Sequence, residues 1–331
     1  MRVPLTLVAE LRRRPVDLLH VQYTAPPFTR CPVVATIHDL SFEHLPETFN
    51  LRSRLQLRLT VRQTARRAAH VLTSSEYSRN QITTTYGIPK DRVSVTPLAV
   101  ASTFAPVSDV AELERVRARY AIQGDYLLAV GSLQPRKNLV RLINAYADLC
   151  RQRGVSATLP KLVLVGKRGW LYNDIFRAAE ASSGVVGSHI VFTGYVPEVD
   201  LAALYSGAMC FIYPSFYEGF GLPPLEAMQC GVPVIVGDRT SLPEVVGEAG
   251  LMIDPFDQEA MAACIARVID DACLRDELRA RGLERARQFT WAETARQTLR
   301  VYKAVFESAR SAERHVKVGP VISRSDMNRR D

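Results

Sequence analysis

Residues 218–233 read EGFGLPPLEAMQCGVP, and their chemistry is mixed. Two glutamates, Glu218 and Glu226, flank a stretch that holds Gly219, Gly221, Pro223 and Pro224. MCFIYPS (209–215) before it and VPVIVG (232–237) after it are apolar enough for buried strands. LEAMQC (225–230) is built of good helix formers and stops at Gly231. The prolines suit a helix entry, where a missing N–H costs little. The glycines let the backbone bend and approach a ligand closely. The stretch is expected to run strand, glycine loop, helix with Glu226 at its start, and strand. N–H groups at a helix N-terminus attract phosphate, whereas carboxylates repel it. A ligand with an anionic part and a set of hydroxyls satisfies both, and nucleotide sugars have that make-up. A glutamate favoured by the helix dipole accounts for Glu226 but leaves Glu218 unexplained.

Other loops carry further candidates. GSLQPRKN (131–138) follows a strand and precedes a helix, and its Arg136 and Lys137 sit where cations meet a diphosphate. Two solvated surface cations are the plainer alternative. The loop is no P-loop, because Gly-x4-Gly-Lys-Ser/Thr is absent. In GYVPEVDLAALYSGA (194–208) a loop enters a helix, so its backbone either reads a nucleobase edge or simply caps a turn. His38 and Asp39 end an apolar strand. A buried structural histidine is the common fate of such a residue, but a strand's carboxyl end facing a cleft makes His38 a candidate. The glycines of EGFGLPP are no dinucleotide fingerprint, since Pro224 stands in place of the third glycine. No Asp-x-Asp occurs, so nothing points to a metal holding a diphosphate.

These loops need a scaffold. Strand patterns occur at 16–23, 32–39, 70–77 and 92–99, with helical material between some of them. A polar, proline-containing stretch (103–116) follows, and a second α/β run has strands at 125–132, 161–167, 189–196, 209–215, 232–237 and 250–254. Helices fit at 138–152, 172–183, 198–207, 225–230 and 257–270, and the pattern stays helical from 272 to 309. The alternation predicts an α/β fold with two parallel sheets in tandem, and ligands bind such sheets at the carboxyl ends of strands.

Bulk properties set limits. With 331 residues, 47% hydrophobic and 23% charged, the chain suits a two-domain globular protein. No apolar run approaches a membrane span, and the N-terminus lacks a signal-peptide core. Six cysteines without metal spacing lie in apolar or helical stretches and are expected as buried thiols in a reducing cytosol. The net charge is +8, and from Thr48 to Ser75 there are six arginines and no acid. Read as a helix, this segment puts Leu57, Val61, Ala65 and Ala68 on one face and Arg58, Arg62 and Arg66 beside it. It is either the solvated face of a core helix or an edge that meets anionic lipid or a phosphorylated acceptor. Nucleic acid has no support from aromatic residues on this helix or from an accompanying motif.

The run YPSFYEGFGLPPLEAMQCGVPVI, with seven residues between its glutamates, resembles the signature of retaining glycosyltransferase family 4. GSLQPRKNL, FTGYVPEVDLAALYSGA, ATIHDLSFEHLPE and TSSEYSRNQI are similar to family segments in the expected order, so the resemblance spans Val16 to about Tyr302. The subgroup resembled is mannosyltransferase-like and builds bacterial polysaccharides. The resemblance implies a GT-B fold, two Rossmann-like domains facing an interdomain cleft. The polar stretch at 103–116 divides domains expected at 1–108 and 109–288, the resemblance implies a helix at 289–311 crossing back to the first, and the polar, mixed-charge residues 312–331 are expected as a flexible tail. The resemblance implies metal-independent, retaining hexose transfer from a nucleotide-diphosphate sugar such as GDP-mannose to a glycan or lipid-linked acceptor. The setting would be cytoplasmic, or peripheral at the inner face of the plasma membrane, without nucleic acid. Glu226 would bind ribose hydroxyls, and Glu218 sugar hydroxyls. The backbone of Gly219, Phe220, Gly221 and Leu222 would lie near sugar and phosphates. Arg136 and Lys137, with Gly131 and Ser132 before them, would stabilise the leaving diphosphate. His38 would contact the sugar, and Val196, Pro197 and Leu201 would border the base. Two departures matter. No opening strand and glycine-rich loop precede Val16, so the first domain is expected to be incomplete and a non-catalytic nucleotide-sugar binder is an alternative. Ser132 stands where many members have arginine. A glycoside hydrolase using Glu218 and Glu226 as acid and base is a further alternative, disfavoured by the cations beside them.

Overall fold

Runs such as YLLAV and CFIY have no polar face to give to water, so they need cover on both sides, as strands inside a parallel sheet have. The computed structural model of the protein, which describes residues 2–154 and 159–317, places them so. The first unit runs α1 (Arg2–Arg13), β1 (Leu19–Gln22), β2 (Val33–Thr36), α2 (Ser41–His44), α3 (Leu51–Arg67), β3 (His70–Thr73), α4 (Glu76–Tyr86) and β4 (Val93–Val95). The second begins with α5 (Val110–Arg119), β5 (Tyr126–Val130), α6 (Leu139–Arg153), β6 (Lys161–Val165), α7 (Asn173–Val186), β7 (Ile190–Gly194) and α8 (Glu198–Ser206). It continues with β8 (Cys210–Tyr213), α9 (Leu222–Gln229), β9 (Val234–Gly237), α10 (Leu242–Val246), β10 (Leu251–Ile253), α11 (Gln258–Asp270) and α12 (Ala272–Ala286). Last comes α13 (Trp291–Lys317). The expected tail from 312 therefore opens as helix, and residues 318–331 lie outside the described residues.

Both sheets are parallel, in the orders β1-β2-β3-β4 and β10-β9-β8-β5-β6-β7. In the second sheet the chain winds outward from β5 to β7, then returns to β8 on the other side of β5. The loops after β5 and β8 therefore diverge at the switch point, where this kind of sheet opens a crevice. Apolar clusters cover both faces of that sheet, around Leu128 and Phe211 on one and Leu127 and Ile212 on the other.

The chain crosses between the units twice. It passes from β4 to α5, and again from α12 to α13, where Val301 and Val305 pack on Val34 of β2 and Leu72 of β3. Thr294 of α13 donates to the Pro97 carbonyl at 2.5 Å, and Tyr302 hydrogen-bonds His20. Residues of both crossings, among them Phe104, Pro106, Phe289 and Trp291, line one cavity of about 660 Å³.

Three details differ from the sequence reading. α9 starts at Leu222, with Gly221 as its cap at φ 117°, so Glu226 lies in the second turn rather than at the start. Pro223 and Pro224 can occupy the first turn because no donor is needed there. Cys150, Cys210 and Cys230 are buried, but Cys31 and Cys264 are half-buried and Cys273, at the start of α12, is exposed. Finally, α3 buries Val61, Thr64 and Ala65, yet Leu51, Leu55 and Leu59 are 75%, 56% and 65% exposed. Recurring every fourth residue, these leucines stack on the outer face, with Arg52, Arg62 and Arg66 among them.

Val301→Asp would put an unpaired carboxylate in the seam between α13 and the first sheet. It is expected to cost about 2–4 kcal/mol, read from urea unfolding, and to expose α13 to limited proteolysis.

Candidate active site

The loop after β5 is short and rigid. Gly131 extends the pairing with β6 through its N–H to the Val165 carbonyl (2.9 Å), and Ser132 is exposed. Pro135–Lys137 then forms one 3₁₀ turn, closed by Asn138 at φ 58°, a left-handed conformation that asparagine tolerates. The Asn138 side chain donates to the Pro255 carbonyl at 2.6 Å, which locks the turn. Arg136 and Lys137 thereby point from one turn toward the loop after β8.

That loop carries Glu218, which is buried. Lys137 Nζ lies 2.6 Å from Glu218 Oε1, and Arg136 Nη1 lies 2.8 Å from Oε2. Ser215 Oγ donates to Oε1 at 2.6 Å, and Lys137 also donates to the Tyr213 hydroxyl. Arg136 is tied further to the same loop: its Nη1 donates to the Tyr217 carbonyl (2.8 Å), and its own carbonyl accepts from Phe216 N–H (2.9 Å). Burial works against the charge of Glu218, but Lys137 and Arg136 outweigh it and hold the carboxyl at about 2. Burial loosens the proton of Lys137, to about 8, against the pull of Glu218. Burial also opposes the charge of Arg136, yet Glu218 keeps it firmly protonated. Two cations share the Glu218 carboxylate, and Asp39 lies near enough to favour the charge of both.

Gly219 is wedged against the first unit. A Cβ there would lie 2.3 Å from the His38 carbonyl oxygen, so only glycine fits. Its own carbonyl accepts from Ser74 (3.1 Å), Ser75 (2.7 Å) and Ser78 (3.2 Å). Next to it, the Tyr217 ring stacks on His44 and meets Tyr77 edge-on, at centroid distances of 5.9 and 5.8 Å. The structure therefore brings His38, Gly219, Glu218, Arg136 and Lys137 to one place. His38 is half-buried, and burial lowers its pKa against the influence of Asp39, which favours a neutral ring.

Glu226 sits apart from that cluster, on α9, where the buried Tyr205 of α8 donates to its Oε2 at 2.9 Å. Burial raises the Glu226 pKa and Tyr205 opposes that. Because α8 packs on α9, the segment Val196 to Leu201 at the start of α8 lies near Glu226. The Val196 side chain is in the core, Leu201 and Leu222 pack against that core, and Pro197 is half-buried at the helix cap. Phe220 turns its ring inward onto Phe289, at 5.7 Å, leaving only its backbone for the cleft. Sequence reasoning missed Tyr213, Ser215, Tyr205 and Ser241, whose neighbours across the fold give them their roles. The segment TSSEYSRNQI entered only as a family-like stretch, and three of its serines, at the entry and first turn of α4, grip Gly219.

Two parallel-sheet units, with a cationic turn and a glycine loop at the switch point of the second, have the architecture of GT-B glycosyltransferases. Residues 114–289 match the family described as Glycosyl transferases group 1, and residues 1–103 match Glycosyltransferase Family 4. The chain belongs to that glycosyltransferase family. It is similar to O-antigen chain mannosyltransferase B of Escherichia coli, 41% identical over 273 residues that make up 82% of this chain and 70% of the relative. It is also 30% identical over 262 residues to the serotype-specific mannosyltransferase WbdA of Escherichia coli, covering 79% of this chain and 32% of that longer protein. Sucrose-phosphate synthase from Thermosynechococcus elongatus shares the fold, with a TM-score of 0.74 at 24% identity over 92% of this chain and 78% of the other. So does WaaG, a glycosyltransferase involved in lipopolysaccharide biosynthesis, with a TM-score of 0.68 at 19% identity over 85% and 76%.

Glu218→Gln would leave two buried cations without their counter-charge, at an expected cost of about 3–5 kcal/mol in urea unfolding. The wild type should lose stability as pH falls from the ordinary value of 4.5 toward about 2, because the unfolded carboxyl takes up its proton first. The variant should lack that share of the acid limb.

Proposed function

We propose that the protein moves a hexose, with mannose from GDP-mannose as first choice, onto a glycan or lipid-linked saccharide in bacterial polysaccharide synthesis. Transfer retains the anomeric configuration and needs no metal. The observation that carries this reading is the Arg136–Glu218–Lys137 cluster at the switch point, backed by the mannosyltransferase names of the relatives. Charge develops on the departing diphosphate in the transition state, and fixed cations in a partly dry site stabilise it there. Arg136 and Lys137 supply that charge, and Glu218 aims them while the lone pair left on its Oε2 takes a sugar hydroxyl. The backbone of Gly219 to Leu222 and of Gly131 and Ser132 lines the phosphates. Glu226, oriented by Tyr205, holds the ribose hydroxyls, and Val196, Pro197 and Leu201 border the base. His38, uncharged, contacts the sugar beside Gly219.

A hydrolase reading fares worse, because Lys137, Ser215 and Arg136 already engage the two oxygens of Glu218 and Glu226 sits apart from that cluster. A nucleotide-sugar binder without transfer would share the donor contacts and fail only in turnover.

The cytoplasmic enzyme would meet its lipid-linked acceptor at an anionic membrane through α3. Among the described residues no helix is long and apolar enough to cross a membrane. The outer face of α3 combines Leu51, Leu55 and Leu59 with arginines and no acid, which suits insertion at a charged interface. A second copy would set cations against cations. The chain is expected to sediment with phosphatidylcholine vesicles holding about one-third phosphatidylglycerol and to stay in solution with phosphatidylcholine alone. Serine at all three leucines should lower partitioning by about tenfold or more while transfer to a water-soluble acceptor persists. Equal sedimentation with neutral vesicles would end this assignment.

Transfer itself is tested with GDP-mannose and competing nucleotide sugars, after a thermal-shift panel has found the nucleotide that raises the melting temperature. Glu226→Ala should weaken nucleotide binding by roughly tenfold or more, and Lys137→Ala should lower kcat by about 10²–10³. Near-normal transfer by both would sink the assignments. Because the Lys137 proton leaves at about 8 in the free enzyme, kcat/KM for the donor should fall above that pH. Bound diphosphate retains the proton, so kcat should fall only at higher pH, and Lys137→Arg should remove the limb.

A further inference from the structure

Hydrogen bonds from both units form a closed circuit around the glycine loop. Ser241 Oγ, fully buried, lies within hydrogen-bond reach of the Glu218 carbonyl (2.9 Å) and the Phe220 carbonyl (2.8 Å), holding the loop from the second unit. Glu244 follows on the same short helix, α10. Its carboxylate accepts from the backbone N–H of Glu76 (2.7 Å) and of Tyr77 (2.5 Å), in the first turn of α4 in the first unit. These are two of the donors that a helix start leaves without internal partners, and a carboxylate is favoured there by the helix dipole. The start of α4 carries Ser75 and Ser78, with Ser74 just before it, and their hydroxyls return the connection to the Gly219 carbonyl. Arg285 of α12 braces α10 from behind, donating to the Glu244 and Val245 carbonyls at 2.5 and 2.9 Å.

We infer that Glu244 is a positioning residue for sugar transfer. His38 belongs to the first unit and Glu218, Arg136 and Lys137 to the second. Their relative placement has no covalent basis near the cleft. Glu244 fixes the start of α4, α4 delivers three hydroxyls to Gly219, and Gly219 rests on the His38 carbonyl. The carboxylate thus sets the register between the two halves of the reacting site without touching substrate. This role rests on the transfer reading proposed above. A misplacement on the scale of one ångström is enough to cost about a hundredfold in rate.

The test uses the full chain and the variants Glu244→Ala, Glu244→Asp and Ser75→Ala. Glu244→Ala is expected to lower kcat by about tenfold to a hundredfold with the donor KM changed by no more than roughly twofold, since the donor pocket lies in the second unit. Glu244→Asp should recover part of the rate, and Ser75→Ala should fall between. Hydrogen exchange gives a readout independent of turnover: peptides covering 74–80 and 218–222 should exchange faster together in Glu244→Ala. An unchanged kcat, a loss confined to KM, a loss matched by the unfolded fraction, or unchanged exchange in both peptides would each overturn the inference. If the wild type transfers no sugar but its exchange responds to Glu244→Ala, the contact stands, and the transfer reading and the positioning role fall together.

Discussion

Glu218 is buried with Lys137 on one oxygen and Arg136 on the other, and burying three charges is costly unless each is matched. Much of the second unit serves that match. The β5 loop must end in a tight turn so that both cations face one way, and Asn138 makes the turn possible by adopting a left-handed backbone. Ser215 donates to Glu218 Oε1 beside Lys137, and the Tyr213 hydroxyl accepts from Lys137. The carboxylate then stays ionised at any ordinary pH, and both cations are fixed where the sheet opens. Cations held in place beforehand need no rearrangement to stabilise an anion that arrives there.

The strand order makes this meeting possible. The loops after β5 and β8 are distant in sequence yet adjacent in space, because the chain reverses its winding between them. The second glutamate uses a different support. Glu226 stands one turn into α9 and is held by a tyrosine from α8, away from the cations. Two carboxylates of one motif thus live in opposite electrostatic settings, one held ionised by cations and one pushed toward protonation by burial.

The central strands of the second sheet were legible from apolar runs alone, since a strand covered on both faces has no polar alternation to blur it, whereas β1 at the edge of the first sheet alternates. Gly219 and the Arg136–Lys137 pair were legible as candidates because glycine loops and paired cations after strands are local signals. Sheet order was not, and neither were Ser215, Tyr205 or Ser241, whose functions arise from neighbours far along the chain. The start of α9 was misplaced because prolines read as a boundary, whereas the first helical turn accepts them. The leucines of α3 were overlooked for a related reason. Periodicity identifies the buried stripe of a helix, but whether a second apolar stripe finds cover depends on tertiary packing.

The two crossings between the units lie side by side, joined by Thr294 and Pro97 and lining one cavity. The units are thus tied at two separate places, at the crossings by the chain itself and at Gly219 only by hydrogen bonds from Ser74, Ser75 and Ser78 and by close packing on the His38 carbonyl. Only the second tie can part without breaking the chain or unfolding a sheet.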